Sequence, residues 1–271
     1  GTPVLSKVGT GTLQLSSNNT YSGKTHISNG VVVIIATNGL GTAAGDTTVI
    51  GGAALEVRGV SSYEPLSING HGINGAGAVY NDLTTAGGTL TNTIALGSAS
   101  AVGGSGLLTL SGVISGANQL TKVGTGTNVL SGNNTFSGSA IISNGVVRIS
   151  HTNALGDVSA GTDVKSGASL EYAMGNVAYA PEPLTIAGQG VTNGGALRSV
   201  GSGVAIVVGK ITLTADARIQ AADRGFQYAA SATYTLTNDL AGFTLSLGGD
   251  NNHSMNAGST FTNATKTSGS G

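Results

Sequence analysis

The sequence has no cysteine and no tryptophan, only 4 prolines, and charged residues fill only 8% of its 271 positions. Without cysteine, the chain can hold neither a disulfide framework nor a thiolate metal site. A net charge of −1 gives no electrostatic attraction for nucleic acid or for an anionic membrane surface, and 4% aromatic residues are too few for base-stacking platforms. We therefore expect no nucleic-acid partner.

Long hydrophobic runs are also missing. No stretch of about 18 apolar residues is present, so we expect no transmembrane helix and no membrane insertion. The chain does not open with a basic segment followed by an apolar one, and we expect any secretion signal to have been removed or to lie outside it. Disorder is not expected despite 46 glycines, because mean hydropathy is +0.19 and Val, Ile and Leu recur in alternating patterns.

What the chain does contain is a duplication. Residues 5–57 and 120–172 align without a gap, with 31 of 53 positions identical, and Glu64-Pro-Leu recurs as Glu182-Pro-Leu. Repetition among strand-forming and turn-forming residues predicts similar units stacked along one axis. We expect a single β-solenoid domain over 1–271, with repeat units 5–119 and 120–237 and a partial third unit 238–271.

Comparison of the two copies predicts which side chains face the core. Apolar identity at alternate positions marks an inward set, because side chains alternate between the two sides of a strand. The inward set is Val32, Ile34, Val49, Leu55, Val57, Leu66 and Ile68, with Val147, Ile149, Val164, Leu170, Tyr172, Leu184 and Ile186 in the second copy. Arg148, Glu56 and Glu171 are predicted to face outward. Asn128, which replaces Leu13 at an inward position, implies either a local strand slip or a buried, hydrogen-bonded amide.

Short strands punctuated by Asn, Gly and Ser dominate, and helical periodicity is absent. Asn29-Gly30 and Asn144-Gly145 are corner signals, although Asn-Gly also favours a tight hairpin and hence an antiparallel meander. A meander needs a second layer over its apolar face, whereas each coil of a solenoid covers the next. The solenoid is therefore favoured over the meander. At about 20–25 residues per coil, the chain would make roughly 11–13 coils, a rod of about 55–60 Å.

The segment Gly9-Thr-Gly-Thr-Leu-Gln-Leu-Ser-Ser-Asn-Asn-Thr-Tyr-Ser-Gly23, followed by Thr25-His-Ile-Ser-Asn-Gly-Val-Val32, resembles the passenger-associated transport repeat of bacterial autotransporters. Gly124 to Val147 matches at least as well, with Phe136 at the position of Tyr21. The resemblance implies an all-β fold, a right-handed single-stranded parallel β-helix. It also implies secretion by a Gram-negative bacterium and display outside the cell, with a role in passenger export and folding and no catalytic residues in the repeat.

One part of the autotransporter pattern is not found. Residues 265–271 are not the amphipathic strand, ending in an aromatic residue, that closes a membrane barrel. The resemblance therefore implies a passenger piece, a processed product or a separate secreted subunit.

Two glycine-rich motifs are candidates for ligand binding. Gly70-His-Gly-Ile-Asn-Gly75 fits G-x-G-x-x-G, but a dinucleotide site needs a following helix and none is indicated, so turn glycines are expected. Gly248-Gly-Asp250-Asn-Asn-His253 suggests a calcium loop, but a single Asp offers few oxygen ligands, and a plain loop is expected. We predict no cofactor.

Titratable residues are scattered. The histidines at 26, 71, 151 and 253 are expected to face solvent. The densest charged group joins Asp216 and Asp223 to Arg218 and Arg224, and an acid–base site there must be weighed against a solvated, salt-bridged loop. Glycosylation sequons begin at Asn18, Asn133, Asn252 and Asn263. We predict no catalytic, cofactor-binding or metal-binding residues.

Three functions remain open at this point. We expect a non-enzymatic extracellular structural rod whose uncapped apolar ends associate into fibres, because uncovering about six inward side chains costs on the order of 10 kcal/mol per end. An adhesin that binds glycans or cell surfaces is the alternative, favoured by a lateral groove of exposed Tyr, Asn and Asp. A polysaccharide-degrading enzyme would need a cleft uniting Asp216, Asp223 and Arg218.

Overall fold

The computed structural model describes residues 2–228, 237–255 and 260–262. These residues form an all-β solenoid of about 10 coils built from parallel strands. The coil count is slightly below the expected 11–13, because some coils are longer than the roughly 20–25 residues assumed. Leu5 pairs with Thr25 after 20 residues, whereas Leu66 pairs with Ile94 after 28. Of the partial third unit 238–271, residues 238–255 and 260–262 are described, and the division of the chain into repeat units remains a prediction.

The strands are short, and most hold 2 to 5 residues. In chain order they are β1 Leu5–Lys7, β2 Thr12–Leu15, β3 Thr25–Ile27, β4 Val31–Ile34, β5 Thr47–Val49, β6 Ala54–Val57, β7 Ser61–Ser62, β8 Leu66–Gly70, β9 Val79–Tyr80, β10 Gly88–Leu90, β11 Ile94–Gly103, β12 Leu107–Leu110, β13 Ile114–Ser115, β14 Leu120–Lys122, β15 Thr127–Leu130, β16 Ala140–Ile142, β17 Gly145–Ile149, β18 Thr162–Val164, β19 Ala168–Tyr172, β20 Val177–Ala178, β21 Leu184–Gly188, β22 Leu197–Ser199, β23 Ala205–Val207, β24 Ile211–Ala221, β25 Phe226–Tyr228, β26 Thr237–Asp239, β27 Leu245–Gly248, β28 His253–Met255 and β29 Thr260–Thr262. Single 3-10 turns occupy Ile73–Gly75 and Val191–Asn193.

Parallel pairing arranges these strands on three faces of the solenoid. Face one carries β1, β3, β5, β8, the start of β11 and β13, and it continues along the chain as the separate 4-stranded sheet β20–β23–β25–β28. Face two runs through β2, β4, β6, β9, the end of β11, β14, β16, β18, β21, the start of β24, β26 and β29. Face three holds β7, β10, β12, β15, β17, β19, β22, the end of β24 and β27.

The Asn-Gly dipeptide of the repeat is a corner between faces. β3 pairs with β1 and β5, whereas β4 pairs with β2 and β6, so Asn29-Gly30 joins strands of two different faces. Gly30 has φ +71 and Gly145 has φ +67, a backbone conformation that favours glycine. The corner prediction is confirmed, and the antiparallel meander is excluded for the described strands.

The sequence repeat and the coil do not share a period. β1 lies on face one, but the equivalent strand of the second copy, β14, lies on face two. In the same way, β2 lies on face two and its equivalent, β15, lies on face three. From β2 the chain passes β4, β6, β9, β11 and β14 on face two before it reaches β15. One unit therefore makes five coils plus one face, and equivalent residues of the two copies point in different directions around the axis.

The interior is a continuous aliphatic column. All fourteen residues of the inward set are buried, with exposed fractions of 0–4%. The prediction from alternation is therefore confirmed. Each coil covers the apolar layer of the next, and burial of each such side chain contributes about 1.5–3 kcal/mol.

The outward carboxylates are less exposed than the alternation pattern predicts. Glu171 is only 4% exposed, because Arg148 and Arg198 of the neighbouring strands lie beside it, with Arg148 Nη2 2.7 Å from Glu171 Oε2. Glu56 is 2% exposed and accepts two hydrogen bonds from Arg58, at 2.6 and 2.9 Å. Both carboxylates lie on the outer side beside half-exposed arginines, as predicted, but long side chains on adjacent positions cover them. Arg148 itself is 43% exposed, as predicted.

Asn128 is fully buried, and neither of its side-chain polar atoms has a hydrogen-bond partner. β15 keeps its register, with Asn128 between Leu108 and Val147 of the neighbouring strands. The first alternative, a local slip, is therefore excluded; the amide is buried, as the second alternative predicts, but it is not hydrogen-bonded. Those neighbours are aliphatic and offer no polar group.

Candidate functional site

A buried lysine holds the repeat corner together. Lys7 ends β1 with its side chain inward, and Nζ donates to three carbonyl oxygens: Val8 at 3.0 Å, Gly9 at 2.6 Å and Asn29 at 3.0 Å. The first two carbonyls belong to the loop that follows the lysine, and the third belongs to the corner one coil further on. The ammonium therefore ties two successive coils together by charge-assisted hydrogen bonds.

The second copy repeats this geometry on another face. Lys122 ends β14, and its Nζ donates to Val123 at 2.7 Å, Gly124 at 2.7 Å and Asn144 at 3.1 Å. Only 2% of Lys122 is exposed, compared with 8% of Lys7. The coil that precedes β14 covers Lys122 more completely, since β1 has a neighbouring strand on one side only in the described part of the chain.

Burial and hydrogen bonding act on the Lys122 ammonium in opposite directions. Burial lowers the pKa of Lys122 to about 8. The three carbonyl oxygens favour the charged form because each accepts one of its N–H groups. No carboxylate within the described residues forms an ion pair with it. The arrangement satisfies the ammonium with the main chain alone, which suits a structural tie.

The corner glycine is part of the same arrangement. A Cβ added at Gly30 would lie 2.5 Å from Lys7 Nζ and 2.3 Å from the Gly11 carbonyl oxygen. At Gly145 the corresponding distance to Lys122 Nζ would be 2.8 Å. The corner therefore requires glycine for space as well as for its backbone conformation.

The alternation of apolar and polar residues does not predict the burial of Lys7 and Lys122. The signal that could have found them is their identity in both copies at an inward position of an otherwise apolar pattern. Lysine is rarely buried without a charged partner, and a solvated surface lysine is the ordinary expectation.

Two buried glutamates form a second duplicated feature. Glu64 and Glu182 are 4% and 6% exposed, and each accepts a hydrogen bond from a threonine, Thr47 at 3.2 Å and Thr162 at 2.7 Å. The Oε2 atom of each glutamate is buried without a partner. Burial raises the pKa of both carboxyls to about 7, and a nearby aspartate adds to the shift in each case, Asp46 beside Glu64 and Asp157 beside Glu182.

These glutamates predict that the rod loses stability as pH rises. Between pH 4.5 and about 7 the unfolded carboxyls are ionised while the folded ones keep their protons, so the free energy of unfolding falls through this window. We expect a loss of about 1–3 kcal/mol per glutamate. Urea unfolding across this range should show a shallower pH dependence for Glu182→Gln than for the wild type. An unchanged slope would contradict the account, and Asp250→Asn at an exposed position is the control.

Two of the four sequon asparagines, Asn18 and Asn133, join neighbouring coils. Asn18 Oδ1 accepts from the Asn38 amide at 2.9 Å, and Asn133 Oδ1 accepts from Asn153 Nδ2 at 2.9 Å. Asn252 lies in an exposed loop. Asn263 and residues 265–271, predicted not to form an amphipathic strand, lie outside the described residues.

The charged group in the second unit is dispersed into separate contacts. Asp216 Oδ1 accepts from the Thr244 amide at 2.8 Å, and Asp223 Oδ2 accepts from the Gly201 amide at 3.1 Å. Arg218 Nε donates to Gln220 at 2.8 Å. Arg224 is buried and donates to the Ser202 and Tyr172 carbonyl oxygens. The described ion pairs include none between these acids and arginines, and no shared cleft brings them together.

The histidines differ in their surroundings. His71 is exposed, while His26 and His151 are half-buried. His253 departs from the solvent-facing prediction, because its ring stacks on Phe226 with a centroid distance of 6.2 Å and Nδ1 lies 3.2 Å from the Tyr228 hydroxyl. His253 thus continues an interior row of aromatic side chains.

The two glycine-rich motifs lie in loops. Gly70–Gly75 spans the end of β8 and a 3-10 turn, with no α-helix after it, so the turn-glycine prediction is confirmed. The loop around Asp250 connects β27 and β28, and Asn251 there donates to the Ala222 carbonyl oxygen at 2.6 Å. In residues 2–228, 237–255 and 260–262, no three His, Cys, Asp or Glu side chains cluster as a metal site would require.

Comparison with known proteins identifies the repeat. The family model of the passenger-associated-transport-repeat matches residues 5–34 and 120–149, the two segments that contain the lysine corner. No curated protein and no solved structure matches the chain. The chain thus carries two passenger-associated transport repeats, as predicted, and the repeats together with the β-solenoid fold fit an autotransporter passenger. Such repeats are typical of secreted or surface proteins of Gram-negative bacteria. In the described part of the chain, no helix is long and apolar enough to cross a membrane.

Proposed function

We propose that this chain is a non-enzymatic structural rod of an autotransporter passenger, located outside a Gram-negative cell. The observation that supports the proposal is that the buried lysines of the repeat bind main-chain carbonyl oxygens. Each lysine of the duplicated corner donates to three main-chain carbonyls that belong to two coils. These groups hold coils to one another and present no reactive atom to solvent.

The geometry of the rod also supports self-association. On face two, parallel backbone pairing continues from β2 to β29, and the same pairing can continue from one copy of the chain to the next. A contact of this head-to-tail kind does not close into a ring, so it generates a fibre. We therefore extend the proposal to end-to-end assembly of the rods.

Negative-stain electron microscopy of the purified chain tests this assembly. We expect filaments whose width matches one solenoid, and fewer of them for Ser6→Pro, since proline on the edge strand β1 removes a backbone donor. Ser6→Ala is the matched control and should assemble like the wild type. Dispersed monomers at high protein concentration would refute the fibre proposal.

Within the described residues, no specific observation favours the adhesin alternative. A shallow groove of about 240 Å³ lies on the outer side of face two, and it contains Asp163 but no tyrosine or asparagine. Its lining residues are Ser139, Ile141, Ala160, Gly161, Thr162, Asp163, Pro183 and Thr185.

A further inference from the structure

Six Asn-Gly dipeptides lie in the described chain, and two of them differ from the rest in their hydrogen bonding. At the repeat corner, the Gly30 amide donates to Asn29 Oδ1 at 2.8 Å, and the Gly145 amide donates to Asn144 Oδ1 at 2.7 Å. The glycine amide is therefore held against the side-chain amide group of the asparagine that precedes it.

At the other four dipeptides the glycine amide is bonded elsewhere. The acceptors are Ala36 O for Gly39, Ser98 Oγ for Gly70, Gly72 O for Gly75 and Val191 O for Gly194. These four sites provide an internal comparison, because the same dipeptide chemistry is present without the contact to the asparagine side chain.

The corner dipeptides also share a buried cation. Lys7 Nζ donates to the Asn29 carbonyl oxygen at 3.0 Å, and Lys122 Nζ donates to that of Asn144 at 3.1 Å. This carbonyl belongs to the same peptide group as the glycine N–H. An ammonium on the oxygen draws electron density from the peptide group and makes its N–H more acidic. The Asn38 carbonyl, by contrast, accepts only neutral backbone N–H groups, from Asn19 and Gly41.

Access to solvent completes the geometry. Asn29 and Asn144 are exposed, so water reaches their side chains, while Gly30 and Gly145 are buried against the lysine. The glycines carry no Cβ that would obstruct approach of the backbone nitrogen to the asparagine Cγ.

We propose that the two lysine corners are sites of spontaneous asparagine deamidation. The glycine nitrogen loses its proton to water and attacks the asparagine Cγ. The new N–Cγ bond closes a succinimide, and the Cγ–Nδ2 bond breaks as ammonia leaves with a proton from water. A second water molecule opens the ring at either carbonyl, which leaves aspartate or isoaspartate. Full conversion at both corners changes the net charge of the chain from −1 to −3, that is −1 plus two carboxylates.

Peptide mapping by mass spectrometry tests the proposal on the purified, folded chain. The chain is incubated in mildly alkaline ¹⁸O-labelled water, and incorporation is followed at all six dipeptides. We expect Asn29 and Asn144 to convert about tenfold faster than Asn38, Asn69, Asn74 and Asn193, a ratio that corresponds to about 1.4 kcal/mol in the barrier. In urea the six rates should become similar. Equal or slower conversion at the two corners of the folded chain would overturn the proposal.

The role of the cation is tested within one molecule. In Lys122→Met, conversion at Asn144 should fall about tenfold relative to Asn29, which keeps its own lysine. Circular dichroism first establishes that the variant is folded. An unchanged ratio of the Asn144 rate to the Asn29 rate in the folded variant would refute the part assigned to the ammonium. If the variant does not fold, the ranking of the six sites in the wild type decides.

Discussion

Replacing Lys122 with methionine is expected to lower the free energy of unfolding by about 3 kcal/mol. The substitution leaves the carbonyls of Val123, Gly124 and Asn144 without their donor. A buried acceptor without a partner costs about 1–3 kcal/mol. The variant also loses the desolvation cost of the buried ammonium, so we expect the net effect to be smaller than the sum over three carbonyls.

Urea denaturation followed by circular dichroism measures this effect. Lys210→Met is the control, since Lys210 is exposed and its substitution should change the free energy of unfolding by less than about 0.5 kcal/mol. Lys7→Met should cost less than Lys122→Met, because Lys7 is more exposed. Equal stability of Lys122→Met and the wild type would show that the lysine does not tie the coils together.

Replacing Asn128 with leucine is expected to have the opposite effect and to stabilise the chain by about 2 kcal/mol. A buried amide without hydrogen bonds costs about 1–3 kcal/mol, and leucine removes that cost while it adds apolar contacts. Leucine is also the residue that the first copy carries at the equivalent position, Leu13. A small void beside Asn128, lined by Leu130, Val147 and Leu155, takes up part of the added volume.

A second buried asparagine provides a matched control. Asn134 is 3% exposed, but its Nδ2 donates to Ala154 O at 2.6 Å and its Oδ1 accepts from the Ile114 amide at 2.8 Å. Asn134→Leu should therefore destabilise the chain, whereas Asn128→Leu should raise the denaturation midpoint. Destabilisation by Asn128→Leu would mean that the amide has a role that its surroundings do not reveal.

Alternation and internal comparison were enough to predict the core. Inward positions such as Val32, Leu55 and Ile68 are apolar in both copies, and period two then fixes the side of the strand on which their neighbours lie. Corners at Asn29-Gly30 and Asn144-Gly145 follow from the conformational preferences of those two residue types.

The polar interior could not be predicted in the same way. Lys122 and Glu182 are buried against partners that are distant in sequence or belong to the main chain, such as the Asn144 carbonyl and Thr162. A pattern of residue types does not show which backbone carbonyls converge on one point. The burial of Glu171 on the outer side could not be predicted for the same reason, because it depends on Arg148 and Arg198 in neighbouring strands.

The sequence also could not predict that equivalent strands of the two repeat units lie on different faces of the solenoid. It requires the length of each coil, and the spacing between paired residues changes from 20 for Leu5 and Thr25 to 28 for Leu66 and Ile94. These differences arise in loops, where insertions cost little free energy.

Cysteine pairing tests the parallel coil register most directly, because the chain has no cysteine of its own. Thr48 pairs with Ser67, and Ser67 pairs with Ala95 on the following coil. Adjacent strands are about 4.8 Å apart, within the reach of a disulfide, whereas strands two coils apart are about 9.6 Å apart and out of reach. We predict rapid intramolecular oxidation of Thr48→Cys with Ser67→Cys, and none of Thr48→Cys with Ala95→Cys. Cross-linking of the second pair, or its failure in the first, would contradict the stacked parallel coils.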